Sequence, residues 1–399
     1  LLYSFILLGM VPAAIIAFFS LYIASSSIEQ QAYEQLTSIR EIKKNQLEDY
    51  FQQTQKDLRL INNVWSDNLK LDSELRPELL ASLKHSFFES FINKYNYYDL
   101  FIIDSEGEIF YTVAKEPDYK TNLKHGLYKN SGLGRLFEKV SRSRKIEIED
   151  FSAYAPSNGE PASFIAEPIE VNGKVVGVIA LQLSIDTINQ IMQFREGMGE
   201  TGETYLVGDD FKMRSDSYLD PTGHSVIASF AGNVRNNGVQ TEASSAGLRG
   251  QTSTDIVIDY NGNPVLSSYT PVSFLGLNWV LLAEIDEAEA FAALNNLQMI
   301  IAFICLFTLA GIIIVTFMIA KSILTPIGGE PAAMESLTEK IAQGDLTTQF
   351  SGNSHHTGVY ASMVSMTHSL TRMMGSLSHV TIELSSAAEQ TSSTSVQAS

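Results

Sequence analysis

Two stretches of the chain are apolar almost without interruption. Leu1–Ile23 holds nearly nothing else, and no charged residue occurs before Glu29. Gln298–Ala320 reads QMIIAFICLFTLAGIIIVTFMIA, again without a charge, and Lys321 follows at once. At about 1.5 Å per residue each is long enough to cross the roughly 30 Å hydrocarbon core of a bilayer. A basic residue directly after the second suits a cytoplasmic anchor. A secretory signal would have a shorter apolar run and a small-residue cleavage site, so the first stretch reads as a membrane anchor. The sequence opens on Leu1 and stops in mid-pattern at Ser399, which reads as a piece of a longer chain.

Between the spans the periodicity changes twice. No Gly or Pro occurs between Ala13 and Arg76, and Ile28, Ala32, Leu36, Ile39, Leu47, Phe51, Leu58, Ile61 and Trp65 recur mostly three or four apart. This predicts a helix running straight out of the first span, about 57 Å long from Ile28 to Trp65. Its narrow apolar stripe suits a partner helix and, equally, its own domain. Pro77 sits where a second helix can begin, with Leu80, Leu83, Phe87 and Phe91 on one face.

From Tyr97 the pattern is that of strands. Residues 98–104 (YDLFIID), a turn at Ser105-Glu106-Gly107, and 108–114 (EIFYTVA) are followed by 146–154, 162–171 and 174–186, the last two joined by Asn172-Gly173. Asn-Gly between apolar runs is a strong hairpin signal. The polar run 115–145 reads as loop plus a short helix. The same order then returns: 203–217, a polar excursion to about Gln251, and strands 253–260, 264–272 and 278–286. Both copies close on an apolar strand ending Ile-Asp, which predicts two copies of one α+β module, each an antiparallel sheet with helices on one face.

Beyond the second span, Met334, Leu337 and Ile341 mark a short helix ended by Gly344-Asp345. From Val359 the apolar positions Met363, Met366, Leu370, Met373, Leu377, Val380, Leu384 and Ala387 alternate three and four apart, the 3.5 period of a coiled coil.

The formal net charge is −18. Residues 1–28 carry none of it, and 298–399 hold three Lys/Arg against six Asp/Glu, which leaves −15 between the spans. That argues against nucleic acid and an anionic lipid surface as partners of this segment and fits a solvated domain outside the membrane. The only cysteine, Cys305, lies in the second span, so no disulfide, Cys-based zinc site or Cys nucleophile is available. No Gly-x-Ser-x-Gly, P-loop or His-Glu-x-x-His occurs, so no enzyme, cofactor or metal site is expected. His355-His356 reads as a solvated loop.

In this order the parts resemble the double Cache sensor of bacterial receptors, two PAS-like sheet modules fed by a long helix. TPIGGEP…LTEKIAQGDLTTQF resembles a HAMP linker, although His355-His356-Thr357-Gly358 stands where many such linkers start their second helix on an acidic residue followed by Glu. HSLTRMMGSLSHVTIELSSAAEQTSSTSVQAS resembles the start of the cytoplasmic hairpin of a methyl-accepting chemotaxis protein. The resemblance implies an extracytoplasmic α+β double Cache domain over 25–296, with a distal module at about 90–193 and a proximal one at about 200–287. It further implies transmembrane helices at 1–24 and 297–321, a cytoplasmic HAMP linker at 322–376, and a signalling coiled coil from 377 to 399. The implied function is a homodimeric chemoreceptor in the bacterial inner membrane. It would act on a chemotaxis kinase and coupling protein and be modified by a methyltransferase and methylesterase at Glu389 and Gln390, where SSAAEQTS resembles the methylation consensus. A sensor histidine kinase or cyclase with the same input half is the alternative, and a membrane-anchored adhesin a third reading.

A ligand in the distal module needs polar groups converging on the sheet. The candidates are Tyr98, Asp99, Tyr111, Lys115, Asp118, Asn122, Tyr154 and Phe164. Lys115 beside Asp118 suggests capture of a carboxylate and an amino group together. The amino-acid motif familiar in double Cache receptors, a Tyr closely followed by Arg-x-Trp-Tyr, is absent, so a carboxylate, an amino acid or another small polar metabolite is equally open. Tyr205, Arg214 and Asp216 are the weaker candidates of the proximal module.

Overall fold

A computed structural model of the chain describes residues 2–71, 76–328, 331–347 and 357–397. It divides into two compact units, one of residues 24–296 and one of residues 1–23 with 297–399.

In the first unit the helix expected from the apolar stripe is present and longer than its stripe: α1 runs over Leu2–Leu71. Leu36, Leu47, Phe51, Leu58, Ile61 and Trp65 are buried along it, while Ile42 and Leu60 on other faces are half exposed. The stripe is used by the chain's own domain. Leu36 joins Met198, Leu266 and Ala283. Phe51 stacks on Phe274 at 4.6 Å, and Trp65 meets Phe88 and Phe110 at 6.2 and 6.1 Å between ring centroids. One helix thus serves as the common wall of both sheets.

The second helix is two short ones, α2 (Pro77–Leu83) and α3 (His85–Tyr95), broken at Lys84. The break turns the register, so Leu80, Phe88 and Phe91 are buried while Leu83 and Phe87, expected on the same face, are exposed.

β1 (Asp99–Asp104), β2 (Ile109–Thr112), β3 (Glu147–Ala153), β4 (Pro161–Val171) and β5 (Lys174–Gln182) form an antiparallel sheet in the order β2-β1-β5-β4-β3. Asn172 and Gly173 both take positive φ, 52° and 76°, as the two-residue hairpin between β4 and β5 requires. β5 ends earlier than its apolar run: Ser184 precedes α5 (Ile185–Met192), which was expected to continue as strand to 186. Alternation separates two faces. Leu100, Ile102, Ile165, Ile179 and Leu181 join the core shared with α1 and α3. Phe101, Ile103, Phe164, Ala166, Val178 and Ala180 face α4 (Gly132–Ser143).

β6 (Glu203–Gly208), β7 (Ser253–Ile258), β8 (Pro264–Phe274) and β9 (Leu277–Asp286) form the second sheet, in the order β6-β9-β8-β7. Matching β1 to β6, β5 to β9, β4 to β8 and β3 to β7 gives one strand order in both. The counterpart of β2 is missing. After β6 the chain turns at Phe211 (φ 59°) and makes a single bridge, Val207 to Met213, where a full strand was expected. Short helices α6 (Val226–Ala231), α7 (Val234–Asn237) and α8 (Glu242–Leu248) fill the polar excursion, and α9 (Glu287–Ala290) follows the sheet.

In the other unit, α10 (Ala292–Ile327) contains the whole apolar stretch 298–320. It and the start of α1 are the two helices long and apolar enough to cross a membrane among the described residues. α11 (Pro331–Ala342) matches the short helix, and α12 (Gly358–Gln397) carries every heptad position from Val359 to Ala387. Met366, Met373, Leu377, Val380 and Leu384 are 46–71% exposed along it. His355 and His356 lie outside the described residues.

Candidate functional site

The α4-facing side of the first sheet ends in a polar row. Asp99, Gln182 and Phe164 are direct neighbours across β1, β5 and β4. Asp99 is wholly buried, although strand interiors seldom hold a carboxylate. Its Oδ1 accepts from the backbone N–H groups of Leu100, Val113 and Ala114 at 2.7, 2.9 and 3.0 Å, and the Thr112 hydroxyl donates to Oδ2. Burial nevertheless pushes its carboxyl up to about 7, against the pull of those bonds.

The loop after β2 closes over this row. Asp118 is wholly buried and receives the Tyr154 hydroxyl on Oδ2, while its Oδ1 has no partner. Burial raises its carboxyl too. The Tyr154 ring lies edge-on to Phe164 at 4.9 Å, which joins the loop to the row. Gln182 is 4% exposed, and its Oε1 is likewise without a partner. At the margin, Glu116 accepts from Tyr98 Oη at 2.8 Å and from Ser157 Oγ at 2.6 Å. Both buried atoms left unpaired are acceptors, and such atoms cost stability until a donor reaches them.

Five of the eight expected residues therefore converge: Asp99, Asp118, Tyr154 and Phe164 in the buried cluster, and Tyr98 at its exposed edge. Three do not. Tyr111 points to the other face of the sheet, where its hydroxyl meets His85 Nδ1 at 2.9 Å and its ring packs on Phe88. The period-2 alternation decides this, since Tyr111 pairs with Ile102 of the α1-facing side. Asn122 builds the turn beyond β1, donating to Glu106 O and accepting from Lys124 and His125 N–H. The length of β1, five residues or about 17 Å from Asp99 to Asp104, separates that turn from Asp99. Lys115 is exposed at φ 53°, whereas Asp118 is wholly buried, so the two do not face one ligand as a pair.

A family model described as Cache domain matches residues 24–294. The chain belongs to the Cache domain family. A curated relative, methyl-accepting chemotaxis protein PctB of Pseudomonas aeruginosa, is 25% identical over 193 residues, which is 48% of this chain and 28% of the relative. Among solved structures, the ligand-binding domain of that P. aeruginosa amino acid chemoreceptor PctB in complex with L-Arg aligns at 17% identity and a TM-score of 0.46, covering 67% of this chain and 92% of the other. The ligand-binding domain of Campylobacter jejuni chemoreceptor Tlp3 in complex with 4-methylisoleucine aligns at 11% identity and a TM-score of 0.49, covering 66% and 94%.

The second sheet of the Cache domain holds an acidic row at the equivalent place. Glu203, Glu284 and Ser267 are neighbours across β6, β9 and β8. Here every carboxylate oxygen is served. Glu284 accepts from Tyr205 and Ser267 at 2.6 and 2.7 Å, and Glu203 from Tyr260, Ser217 and the Tyr218 N–H. Burial pushes Glu284 up to about 7. Arg214, a weaker candidate whose ordinary reading from sequence is a surface residue, is instead 2% exposed and grips Asp150 of β3 with Nε and Nη2 at 2.8 and 2.7 Å. Trp279 Nε1 donates to the same carboxylate at 3.0 Å, and Asp210 stands 3.0 Å from Nη2. A Cβ at Gly208 would fall 2.2 Å from Nη2, so only glycine leaves room for this bridge between the modules. Asp216 binds Asn189 and the Val226 N–H. Sequence reasoning missed Gln182, whose signal is a polar residue on the buried alternation of GVIALQLSID.

Proposed function

We propose that this chain is the input half of a transmembrane chemoreceptor, in which a double Cache domain senses a small extracytoplasmic ligand in its distal module. The observation that carries the reading is the pair of buried, partnerless acceptors, Asp118 Oδ1 and Gln182 Oε1, on the α4 side of the first sheet of a Cache domain. The proximal row, whose oxygens are all engaged, serves as a structural counterpart. The ligand-sensing residues are Asp99, Asp118, Tyr154 and Phe164, with Tyr98 at the margin and Gln182 added. The chain acts as a binder rather than a catalyst.

In this reading the helices at 1–24 and 297–321 hold the receptor in the bacterial inner membrane, as a homodimer. Residues 322–376 form a HAMP linker and 377–399 begin the methyl-accepting coiled coil, with Glu389 and Gln390 as modification sites. Output goes to a chemotaxis kinase and its coupling protein. A bias of ~1–3 kcal/mol between two helix packings is enough for such a switch. A thermal-shift screen of the detergent-solubilised chain against amino acids, organic acids and amines tests the sensor. A ligand should raise the melting temperature, the shift should vanish in Asp118→Asn, and it should persist in Glu284→Gln. A shift that survives Asp118→Asn and is lost in Glu284→Gln would put the ligand in the proximal module.

A further inference from the structure

We infer that the distal site takes a small aliphatic amine carrying no carboxylate, admitted through the cavity whose wall includes Gln182. The inference rests on the sensor reading above and adds the chemistry of the ligand.

The cavity has a volume of about 200 Å³. Tyr98, Ser157 and Gln182 bring it to the edge of the buried row, and Glu160, Asp186 and Asp216 are its charged lining residues. No Lys or Arg lines it among the described residues. Glu160 and Asp186 are exposed, so they present negative charge to solvent at the mouth. Of the lining residues Gln182 supplies a buried acceptor without a partner, Oε1; Asp118 Oδ1, also without one, belongs to the buried cluster rather than to the lining. Asp99 stands directly across from Gln182 on the neighbouring strand.

A ligand entering here meets the negative charge of Glu160 and Asp186 at the mouth and the Gln182 acceptor at the wall. An ammonium group offers three N–H donors and a positive charge, which suits both. Tyr98 adds an aromatic surface at the cavity wall on which a cation can rest. A carboxylate would enter among Glu160, Asp186 and Asp216 with no cationic side chain to receive it, since Lys115 lies exposed outside the cavity lining. A metal ion is the other cation to weigh. It wants several His, Cys, Asp or Glu ligands converging on one point, and no group of three or more exists among the described residues. The chemistry therefore selects an organic cation.

The test is calorimetric titration of the full chain in nanodiscs with three probes of one length: 1,4-diaminobutane, 4-aminobutanoate and butanedioate. The diamine should bind, 4-aminobutanoate should bind at least tenfold more weakly, and butanedioate should give no heat. Asp118→Asn should weaken the diamine at least tenfold. Glu160→Gln, an exposed change that spares the core, should weaken it two- to fivefold, and less at high salt. Tighter binding of either carboxylate probe overturns the inference, as does diamine affinity unchanged in both variants. So does the absence of heat with the diamine at millimolar concentration. A carboxylate ligand whose binding is still lost in Asp118→Asn would overturn the amine alone and leave the distal sensor standing.

Discussion

Changing Asp150 to Ala cuts the polar contact through which β3 of the first sheet meets the second, leaving the Phe151 ring stacked on Trp279 at 6.1 Å. Arg214 is 2% exposed and would lose two charge-assisted bonds, at 2.8 and 2.7 Å, while Trp279 would lose the acceptor of its N–H at 3.0 Å. Removing one partner of a buried ion pair costs ~3–5 kcal/mol, because the other charge is left stranded. Two features soften this. Asp150 is 28% exposed, and Asp210 stays 3.0 Å from the guanidinium. The expected loss is about 2–4 kcal/mol for Asp150→Ala, and about 1–2 kcal/mol for Asp150→Asn, which keeps an acceptor. The assay is urea denaturation of the detergent-solubilised chain followed by tryptophan emission. It reads only Trp65 and Trp279, and the latter sits on the bridge. A double-mutant cycle with Arg214→Met should give a coupling of about 1.5–3 kcal/mol. A coupling below about 0.5 kcal/mol would refute the claim that this bridge joins the modules.

Three further outcomes are expected. Asp99 and Glu284 both have folded carboxyls raised to about 7, so the folded state holds protons that the unfolded chain releases near 4. That stability is fully present below about pH 4 and is lost as pH rises through 7, on the order of 4 kcal/mol for Asp99 alone; Asp99→Asn should flatten the pH dependence of the urea midpoint, and an unchanged slope would exclude Asp99 as its source. Tyr154→Phe removes the donor to Asp118 Oδ2 and leaves that buried carboxyl without a side-chain partner, so the melting temperature should drop by the equivalent of about 1–3 kcal/mol; no drop would mean the loop is not held by this contact. Single cysteines at Met366, Leu370 and Met373 of α12 should cross-link across a parallel dimer much faster than one at Ser369, and equal rates would remove the coiled-coil reading.

Much of the fold was legible because alternation and helical spacing are read directly from side-chain chemistry. The long helix, the hairpin at Asn172-Gly173 and the shared strand order all followed from that. The misses have local causes. Lys84 breaks an otherwise helical pattern without Gly or Pro, so the rotation that buries Phe88 instead of Phe87 left no mark in composition. The strand expected after Phe211 is replaced by one bridge because two backbone groups turn to side chains instead of the facing strand, Met213 N–H to Ser229 Oγ and Leu206 N–H to Ser215 Oγ. The site was half legible for the same reason. Buried Asp99 and Tyr154 stand out as polar groups in apolar runs, but whether Tyr111 faced the loop or α3 depended on a register fixed by pairing with Ile102. Arg214 read only as a weak candidate, more ordinarily a surface residue, because sequence does not reveal that its carboxylate, Asp150, is supplied by the other module.

Hydrogen–deuterium exchange of the full chain, with and without a ligand found by thermal shift, tests the central claim most directly. The distal sensor predicts slowed exchange over residues 113–131, the loop that buries Asp118, and over residues 180–185 at the end of β5, with little change over residues 209–250. Protection confined to residues 209–250 and the Glu203–Glu284 row, with residues 113–131 unchanged, would contradict it.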